Sequence, residues 1–469
     1  MKVTLLGATD EVTGSHSLLE VGDLKILVDV GLEQSNIRQF AETNAWNGRK
    51  PEYDIEDIDY IILTHFHVDH IGRLPFILKD GFRGKVIATA PTAEACEVAF
   101  LDTAKIMQSN ADMLNKYRRK NKIIPLYDEE DAREALNYIQ CYDYNTEIIL
   151  SNQCKLELLC AGHVLGASMA KITYSNNGKD KTILFTGDTS AQSEKHPFIR
   201  KADDIGDVDY IVSESTYGNR AHDNIDIEKV LTEHIQNICI NNSGTILMPV
   251  FSMQRSSQIL FMLREVYLKN KEFYKIPIYL DSPMAIKFQH ILHNNKSFWG
   301  DKWIERDSEL TSLLDWEVVE YIDSFQESKY LSNKFPKIIL SSSGMCEGGR
   351  VLFHLSNILP RKTDLILFSG YQAEGTLGRK LLMQEHKSIS INREQKIIRA
   401  KIDAFSMSSH ADYNQITEYI KTTSNRNKLK KVILNHGDTD AKVVFKEHLK
   451  QHLDDVEIMI GEYNKIIFL

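Results

Sequence analysis

LTHFHVDHIGRLP, residues 63–75, decides how this chain is read. Three histidines and an aspartate (His65, His67, Asp69 and His70) fall within six positions, after the apolar run Ile61-Ile62-Leu63 and before Gly72. Residues two apart on an extended backbone face the same side, so His65 and His67 point together. Asp69 and His70 then turn onto a second direction, and one tight loop can serve two ions. Imidazole nitrogens and carboxylate oxygens are the donors zinc takes, usually in near-tetrahedral sets. A lone HxH is more often surface or core than ligand. An HxHxDH placed directly after a buried strand reverses that balance, because the strand supplies a rigid base.

Two ions need more donors than one loop holds. Three further candidates follow apolar strands beside glycine: His163 in CAGHVLGAS, Asp188 in LFTGDTS and His436 in VILNHGD. Each alone divides evenly between a ligand and a capped turn. Together they complete a set. His65, His67 and His163 are expected on one metal, and Asp69, His70 and His436 on the other. Asp188 would bridge, which suits ions roughly 3.5–4 Å apart. Asp29, in LVDVG, is expected to orient a ligand histidine from behind, although a strand-end Asp capping a turn is an equal reading.

The bulk numbers bound the rest. At 469 residues the chain is too long for one core, so two or three domains are expected. The 42% hydrophobic and 26% charged residues are ordinary for a globular protein. No run approaches the roughly 18 apolar residues of a membrane span. The opening MKVTLLGATDEVTGS lacks a basic segment followed by an apolar one, so a cytoplasmic protein is expected. Cys96, Cys141, Cys154, Cys160, Cys239 and Cys346 form no CxxC pair and read as reduced structural thiols. A net charge of −9 argues against a protein that coats nucleic acid. It does not argue against an enzyme acting on one, since bound metals make a local positive field.

Strand character dominates the first 30 residues and recurs at 59–65, 157–174 and 181–190, each ending in polar loops. Residues 91–139 have a helical period. This is the pattern of an α/β sandwich. From about 208 the chain repeats apolar strand, Gly/Ser-rich loop and helix, as in GTILMPVFSMQRSSQILFML and KIILSSSGMCEGGR, which indicates a doubly wound, mostly parallel sheet. After about 394 short strands return. Boundaries are therefore expected near 208 and 394, dividing the chain into 1–207, 208–394 and 395–469. Residues 286–335 read as helices and a loop.

HFHVDH with AGHVLGA and FTGD resembles the metallo-β-lactamase superfamily. ESTYG (214–218), SSSGMCEGGR (341–350), GYQAEGTLGR (370–379), FSMSSHADY (405–413) and NHGD (435–438) narrow the resemblance to its β-CASP group of nucleic-acid-processing nucleases. That group includes the endonuclease subunit of the eukaryotic cleavage and polyadenylation specificity factor and shorter prokaryotic ribonucleases. The resemblance spans essentially the whole chain. It implies a metallo-β-lactamase αββα sandwich with an inserted β-CASP domain, which explains how His436 can join an early cluster. The family's metal ligands fall on His65, His67, Asp69, His70, His163, Asp188 and His436, its second-domain acid on Glu214 and its additional histidine on His410. His16 stands where a small or neutral residue is expected, and MSSH replaces the commoner S-A-H.

Such a site is expected to hydrolyse phosphodiester bonds of single-stranded RNA, chiefly internally, with two zinc ions, manganese being a substitute. Asp69 would help orient the water. His410 would protonate the leaving 3′ oxygen with Glu214 as its partner, since a carboxylate favours imidazolium. Ser343, Gly344 and Ser409 can cradle phosphate, or be simple turns. Arg255 and Arg379 can bind flanking phosphates, though an exposed ion pair is commoner. Tyr217 and Tyr371 can stack on bases or pack in a core. A small-molecule hydrolase shares the metal core but leaves Glu214, His410 and the large second domain without a role. A non-catalytic scaffold does not need all seven ligands. DNA is the nearest rival substrate, because discrimination rests on 2′-hydroxyl contacts that one sequence does not report. A homodimer is compatible with the sequence, which shows no interface for it.

Overall fold

Short runs of Val, Ile and Leu build strands whose buried faces gather in separate apolar clusters. The computed structural model describes residues 1–33, 53–116, 118, 120, 122–193, 196–306, 316–373 and 375–469. The chain divides into two units, residues 1–195, 199–221 and 409–469 in one and residues 196–198 and 222–408 in the other.

In the first unit β1 (Lys2–Leu5), β2 (His16–Val21), β3 (Leu24–Val30), β4 (Tyr60–Ile62), β5 (Lys85–Ala88) and β6 (Ile139–Cys141) form one sheet in that order. The pairs β1–β2 and β2–β3 are antiparallel; β3 to β6 are parallel. A second sheet starts with β7 (Glu147–Ser151), β8 (Cys154–Cys160), β9 (Ser168–Asn176) and β10 (Lys179–Phe185), antiparallel in turn, followed by a parallel β11 (Tyr210–Ser213). Val3, Leu5, Val28, Ile62 and Ile87 of the first sheet meet Leu156, Leu158, Ile172, Ile183, Val212 and Ile433 of the second in one buried cluster. Burying each such side chain contributes about 1.5–3 kcal/mol. Helices Ala90–Asn115, Tyr413–Thr423 and Thr439–Lys450 flank these sheets. The second of them starts at a capping box, Asp412 accepting from Asn414 and Gln415 N–H groups.

The second unit contains β12 (Thr245–Pro249), β13 (Ile278–Asp281), β14 (Val319–Tyr321), β15 (Lys337–Ser341), β16 (Leu365–Phe368), β17 (Ser388–Ile391), β18 (Glu394–Ile397) and β19 (Lys401–Ala404). Six of them make an all-parallel sheet in the order β14-β13-β15-β12-β16-β19, and β17 and β18 pair as a hairpin. Apolar clusters line both faces, around Leu263 and Ile338 on one and around Leu355 and Ile366 on the other. Near-continuous apolar strands follow from such two-sided burial. The chain then returns to the first unit. There β20 (Lys431–Leu434) and β21 (Glu457–Ile460) extend the second sheet beyond β11, and β22 (Ile466–Phe468) pairs with β1.

The α/β class and the parallel second sheet follow the sequence reading. Two strands at the changeovers differ from it. DYIVS, grouped by sequence with the strand–loop–helix repeats, pairs with β10 and β20 as β11. KIDA, grouped with the last part of the chain, is the edge strand β19 beside β16. An apolar strand carries no mark of which sheet accepts it. In the stretch 286–335 the structure has helices Pro283–Asn294, Asp301–Glu305 and Phe325–Tyr330 and the strand β14, while residues 307–315 lie outside the described residues. Among the described residues no helix is long and apolar enough to cross a membrane. All six cysteines are free thiols.

Candidate metal centre

The strand ends of the first unit converge. Asp29 ends β3, and His65, His67, Asp69 and His70 follow β4. His163 lies between β8 and β9, Asp188 after β10, Glu214 after β11 and His436 after β20. His67 begins the short helix Val68–Ile71, which turns Asp69 and His70 away from it. Backbone hydrogen bonds fix that turn onto β3: Ser15 N–H donates to the Asp69 carbonyl at 2.8 Å and Leu32 N–H to that of Val68 at 3.0 Å. Gly31 permits the approach. A Cβ there would meet the Asp69 carbonyl oxygen at 1.6 Å.

Donor atoms of His65, His67, His163 and Asp188 lie within 4.8 Å of one another, as do those of Asp69, His70 and His436. His65 Nε2 is 3.0 Å from His67 Nδ1, and His163 Nε2 is 3.4 Å from the same atom. Asp188 Oδ2 stands 3.5 Å from His65 Nε2 and 3.7 Å from His163 Nε2. Two donors each about 2.0–2.1 Å from a tetrahedral ion are about 3.3 Å apart, so these spacings suit a shared cation. Asp188 Oδ1 turns to the other group, 3.4 Å from His70 Nε2 and 3.2 Å from His436 Nδ1. It is buried and makes no hydrogen bond among the described residues. A buried carboxylate oxygen without a donor is costly, and a cation between the two groups removes that cost. His70 Nε2 and His436 Nε2 are 3.2 Å apart, and Asp69 Oδ2 is 3.6 Å from His436 Nε2.

Protonation follows position. Burial, reinforced by neighbouring imidazoles, holds His65 and His163 well below the ordinary histidine value. Burial also brings His67 down to about 4 against the pull of Asp69 and Asp188. These rings are neutral near pH 7, with lone pairs available. His163 Nδ1–H donates to the Ser409 carbonyl at 3.1 Å, which leaves Nε2 as its donor atom. His70 differs. Burial opposes its charge, but Asp188 and Asp29 outweigh that and hold it well above the ordinary value.

Asp29 organises the loop from behind. Its Oδ1 accepts from Thr64 N–H at 2.8 Å, and its Oδ2 from Thr64 Oγ at 2.9 Å and from His70 Nδ1 at 2.7 Å. Asp29 (φ 60°) and His436 (φ 48°) both occupy the left-handed region. Non-glycine residues there cost about 1–3 kcal/mol each and gather at functional sites. Thr64 is the residue the sequence reading missed. It stands directly before the HxHxDH run and joins Asp29 to the imidazoles. Thr216 was missed likewise, with Oγ1 3.3 Å from His436 Nδ1. A threonine beside a ligand motif is the only sequence signal for either.

His410 adds a second kind of chemistry. Its Nδ1–H donates to Glu214 at 2.9 Å, and its Nε2 lies 3.8 Å from Asp188 Oδ2. Glu214 is held in turn by Thr189 N–H at 2.6 Å. Burial opposes charge on His410, yet Glu214 and Asp188 push it up to about 10. Both carboxylates favour its protonated form, in which Nε2–H faces the metal-binding group. The Tyr217 ring centroid is 6.2 Å from that of His410, with Arg220 4.5 Å from its own centre.

The expected phosphate-binding residues divide between the units. Ser409 is in the first unit, where its carbonyl holds His163. Arg255, Ser343, Gly344 and Arg379 are in the second, all beyond the C-terminal ends of β12, β15 and β16. The Ser343 hydroxyl accepts from Glu347 N–H at 3.1 Å, and the Gly344 carbonyl accepts from Gln372 Nε2 at 3.1 Å. Tyr371 beside them is 49% exposed. His16 is buried in β2 and bonded to the Tyr53 hydroxyl at 2.9 Å.

Comparison with known proteins gives three family matches in chain order. The metallo-beta-lactamase superfamily matches residues 10–100, the Beta-Casp domain residues 257–381, and the Zn-dependent metallo-hydrolase RNA specificity domain residues 397–460. An RNase J-like protein of Methanocaldococcus jannaschii is 31% identical over 92% of this chain and 91% of its own. A ribonuclease of Thermus thermophilus is 27% identical, over 94% of each. An endoribonuclease of Schizosaccharomyces pombe is 27% identical over 92% of this chain, which spans about half of that relative (53%). A crystal structure of an Enterococcus faecalis protein of unknown function has the same fold, with a TM-score of 0.55 at 14% identity, covering 100% of this chain and 99% of its own. The superfamily implies a divalent metal, and the His/Asp groups described above can bind one. The chain belongs to the metallo-β-lactamase superfamily, in its β-CASP group.

Proposed function

We propose that this chain is a metal-dependent endoribonuclease that hydrolyses single-stranded RNA to 5′-phosphate and 3′-hydroxyl ends. The observation that carries this reading is the placement of His410, its Nδ1 2.9 Å from Glu214 and its Nε2 3.8 Å from an aspartate of the metal-binding group. A hydrolase whose leaving group departs as a stable anion does not need a proton donor at that position. Hydrolysis of a phosphodiester does, because an alkoxide leaves badly. The ribonuclease relatives and the match to an RNA specificity domain support RNA as the polymer.

His65, His67, His163 and Asp188 would hold one ion, and Asp69, His70, His436 and Asp188 a second. Zinc suits so nitrogen-rich a donor set, with manganese a substitute. Bound there, the ions supply the Lewis acidity that activates water and offsets charge on the phosphoryl oxygens. Asp69 orients the attacking water. As the new P–O bond forms and the bond to O3′ breaks, His410 Nε2 gives its proton to O3′. Glu214 keeps the imidazolium turned toward the scissile bond, and Asp29 keeps His70 Nε2 facing the ion. Ser409 in the first unit, and Ser343, Gly344, Arg255 and Arg379 in the second, would each hold a phosphate of the strand, and Tyr371 a base. The chain would act in RNA processing or decay in the cytoplasm.

The test is cleavage of a 5′-labelled single-stranded RNA beside DNA of the same sequence. Wild type and His67→Ala are compared with zinc and after chelation. Internal cuts in RNA alone, lost on chelation and in the variant, are expected. Protein that holds metal but cuts neither polymer refutes the nuclease reading, and equal cutting of DNA refutes the substrate.

A further inference from the structure

The chain carries a net charge of −9, yet residues 329–401 contain thirteen Lys and Arg against five Asp and Glu. Much of this excess gathers at one place in the second unit, the N-terminal rim of the parallel sheet. Lys337 opens β15 and Lys401 opens β19. The turn before β16 carries Arg361 and Lys362, and Lys401 N–H donates to the Asp364 carbonyl of that turn at 2.9 Å. Arg399 joins the same edge through its N–H to the Leu359 carbonyl at 2.8 Å. This rim is the opposite end of the sheet from the loops with Ser343 and Tyr371.

An aromatic ring stands inside the cluster. Phe335 is 39% exposed, with Lys337 Nζ 3.8 Å and the Arg361 guanidinium 4.1 Å from its centroid. Lys362, Arg399 and Lys401 are exposed farther along the rim. The cations crowd one another. Burial first, with Arg361 and Lys334 adding to it, brings Lys337 down to about 8. Asp364, the nearest carboxylate, is buried and accepts from Arg361 Nε at 2.7 Å. Edge strands often carry lysine to prevent pairing, which would account for Lys401 alone. It does not account for cations on the turn before β16, or for an exposed ring between two of them. A row of exposed cations along one rim is the electrostatic pattern that takes a phosphodiester backbone.

We propose that this rim, centred on Phe335, Arg361, Lys362, Arg399 and Lys401, is a second RNA-binding surface that takes the phosphodiester backbone of a single strand. The proposal rests on the ribonuclease reading for the identity of the polymer, but on this unit's own charge and geometry for the surface.

The test is fluorescence anisotropy of labelled oligouridylate against chelated protein, in a salt series, for wild type and for Lys362→Ala/Arg399→Ala/Lys401→Ala. None of these side chains belongs to the proposed catalytic set. Each phosphate contact to a single strand contributes about 0.7 to the slope of log affinity against log salt, so the triple variant should lose about 2 from that slope. Affinity should fall about tenfold or more at low salt, with the thermal midpoint unchanged. Unchanged affinity and slope in the triple variant overturn the proposal, as does an equal fall on an acidic peptide of the same length. The two readings separate cleanly. Wild type that cuts RNA while the variant binds as tightly removes the rim and keeps the nuclease. A variant that loses RNA affinity in a protein that cuts no RNA keeps the rim and removes the nuclease.

Discussion

Glu214→Gln isolates the electrostatic part of the proposed proton donor. The substitution is isosteric, and the remaining carbonyl oxygen can still accept from Thr189 N–H, now 2.6 Å from Glu214 Oε1. What it removes is the negative charge beside His410 Nδ1, 2.9 Å away. Burial alone would lower His410; Glu214 and Asp188 together raise it to about 10. A cation bound at Asp188 offsets that second contribution, so in the loaded site the proton rests chiefly on Glu214. An opposite charge at this range is worth about 1–3 pKa units. A general acid works only while protonated, so activity falls as pH rises through its pKa. Lowering the donor's pKa by that amount leaves up to about tenfold less of it protonated, per unit lowered, at any pH above its own pKa. The alkaline limb of kcat should therefore move down by about 1–3 units, with the largest loss above the wild-type limb and little change well below the variant's. The pair also stabilises the chelated protein. His410 is raised above its ordinary 6.5, so that contribution is complete below pH 6.5 and fades as pH climbs toward about 10. The assay is a pH–rate profile on single-stranded RNA for wild type and variant, with metal content checked at each pH. An alkaline limb that stays in place, in a variant that still binds RNA and metal, refutes the assignment.

Three further outcomes follow from the geometry. Asp29→Asn removes the charge that receives His70 Nδ1–H at 2.7 Å, and metal affinity should fall about 10–100-fold, read by competition with a chromogenic chelator. Because Asp188 and Asp29 hold His70 protonated, a metal must displace that proton; uptake should strengthen as pH rises and release protons in calorimetry across buffers of different ionisation enthalpy, whereas a flat profile contradicts it. Gly31→Ala drives a Cβ to 1.6 Å from the Asp69 carbonyl, so it should destabilise by more than the ~1 kcal/mol typical of a point change and loosen metal binding, both seen in urea melts with and without metal.

The two levels of the fold were unequally legible. Apolar strands ending in His or Asp beside glycine mark the edge where ligands gather, and His65, His163, Asp188 and His436 stand at such ends in the structure. Periodicity could not say which sheet takes an apolar strand, and so β11 and β19 each pair in the unit other than the one their neighbours in sequence suggested. Thr64 was invisible for a different reason. Its role depends on the rotation of a hydroxyl between Asp29 and two imidazoles, and a threonine after a strand is ordinary in any sequence. Nor could a motif report protonation. His65 and His70 stand in one motif and shift in opposite directions, because burial acts on both while Asp29 adds its charge to that of Asp188 at His70 alone.

That difference gives the two proposed half-sites different proton demands. His65, His67 and His163 have lone pairs free near pH 7, because burial and mutual repulsion have already driven off their protons. An ion entering among them meets neutral donors and one carboxylate. Asp69, His70 and His436 include a histidine that Asp29 and Asp188 keep charged, and an ion there competes with a proton. Asp188 faces both groups, with Oδ2 3.5 Å from His65 and Oδ1 3.4 Å from His70. Once a first cation takes Asp188, part of the field that holds the His70 proton is gone. Filling the first half-site then lowers the cost of filling the second, and the coupling runs through one aspartate rather than through any movement of the backbone. Reciprocity requires the second ion to tighten the first by the same factor. Asp188→Asn should therefore do more than weaken each ion: metal titrations at pH 6 should lose their cooperativity, and wild-type uptake that is already independent and stepwise at that pH would show the coupling to be absent.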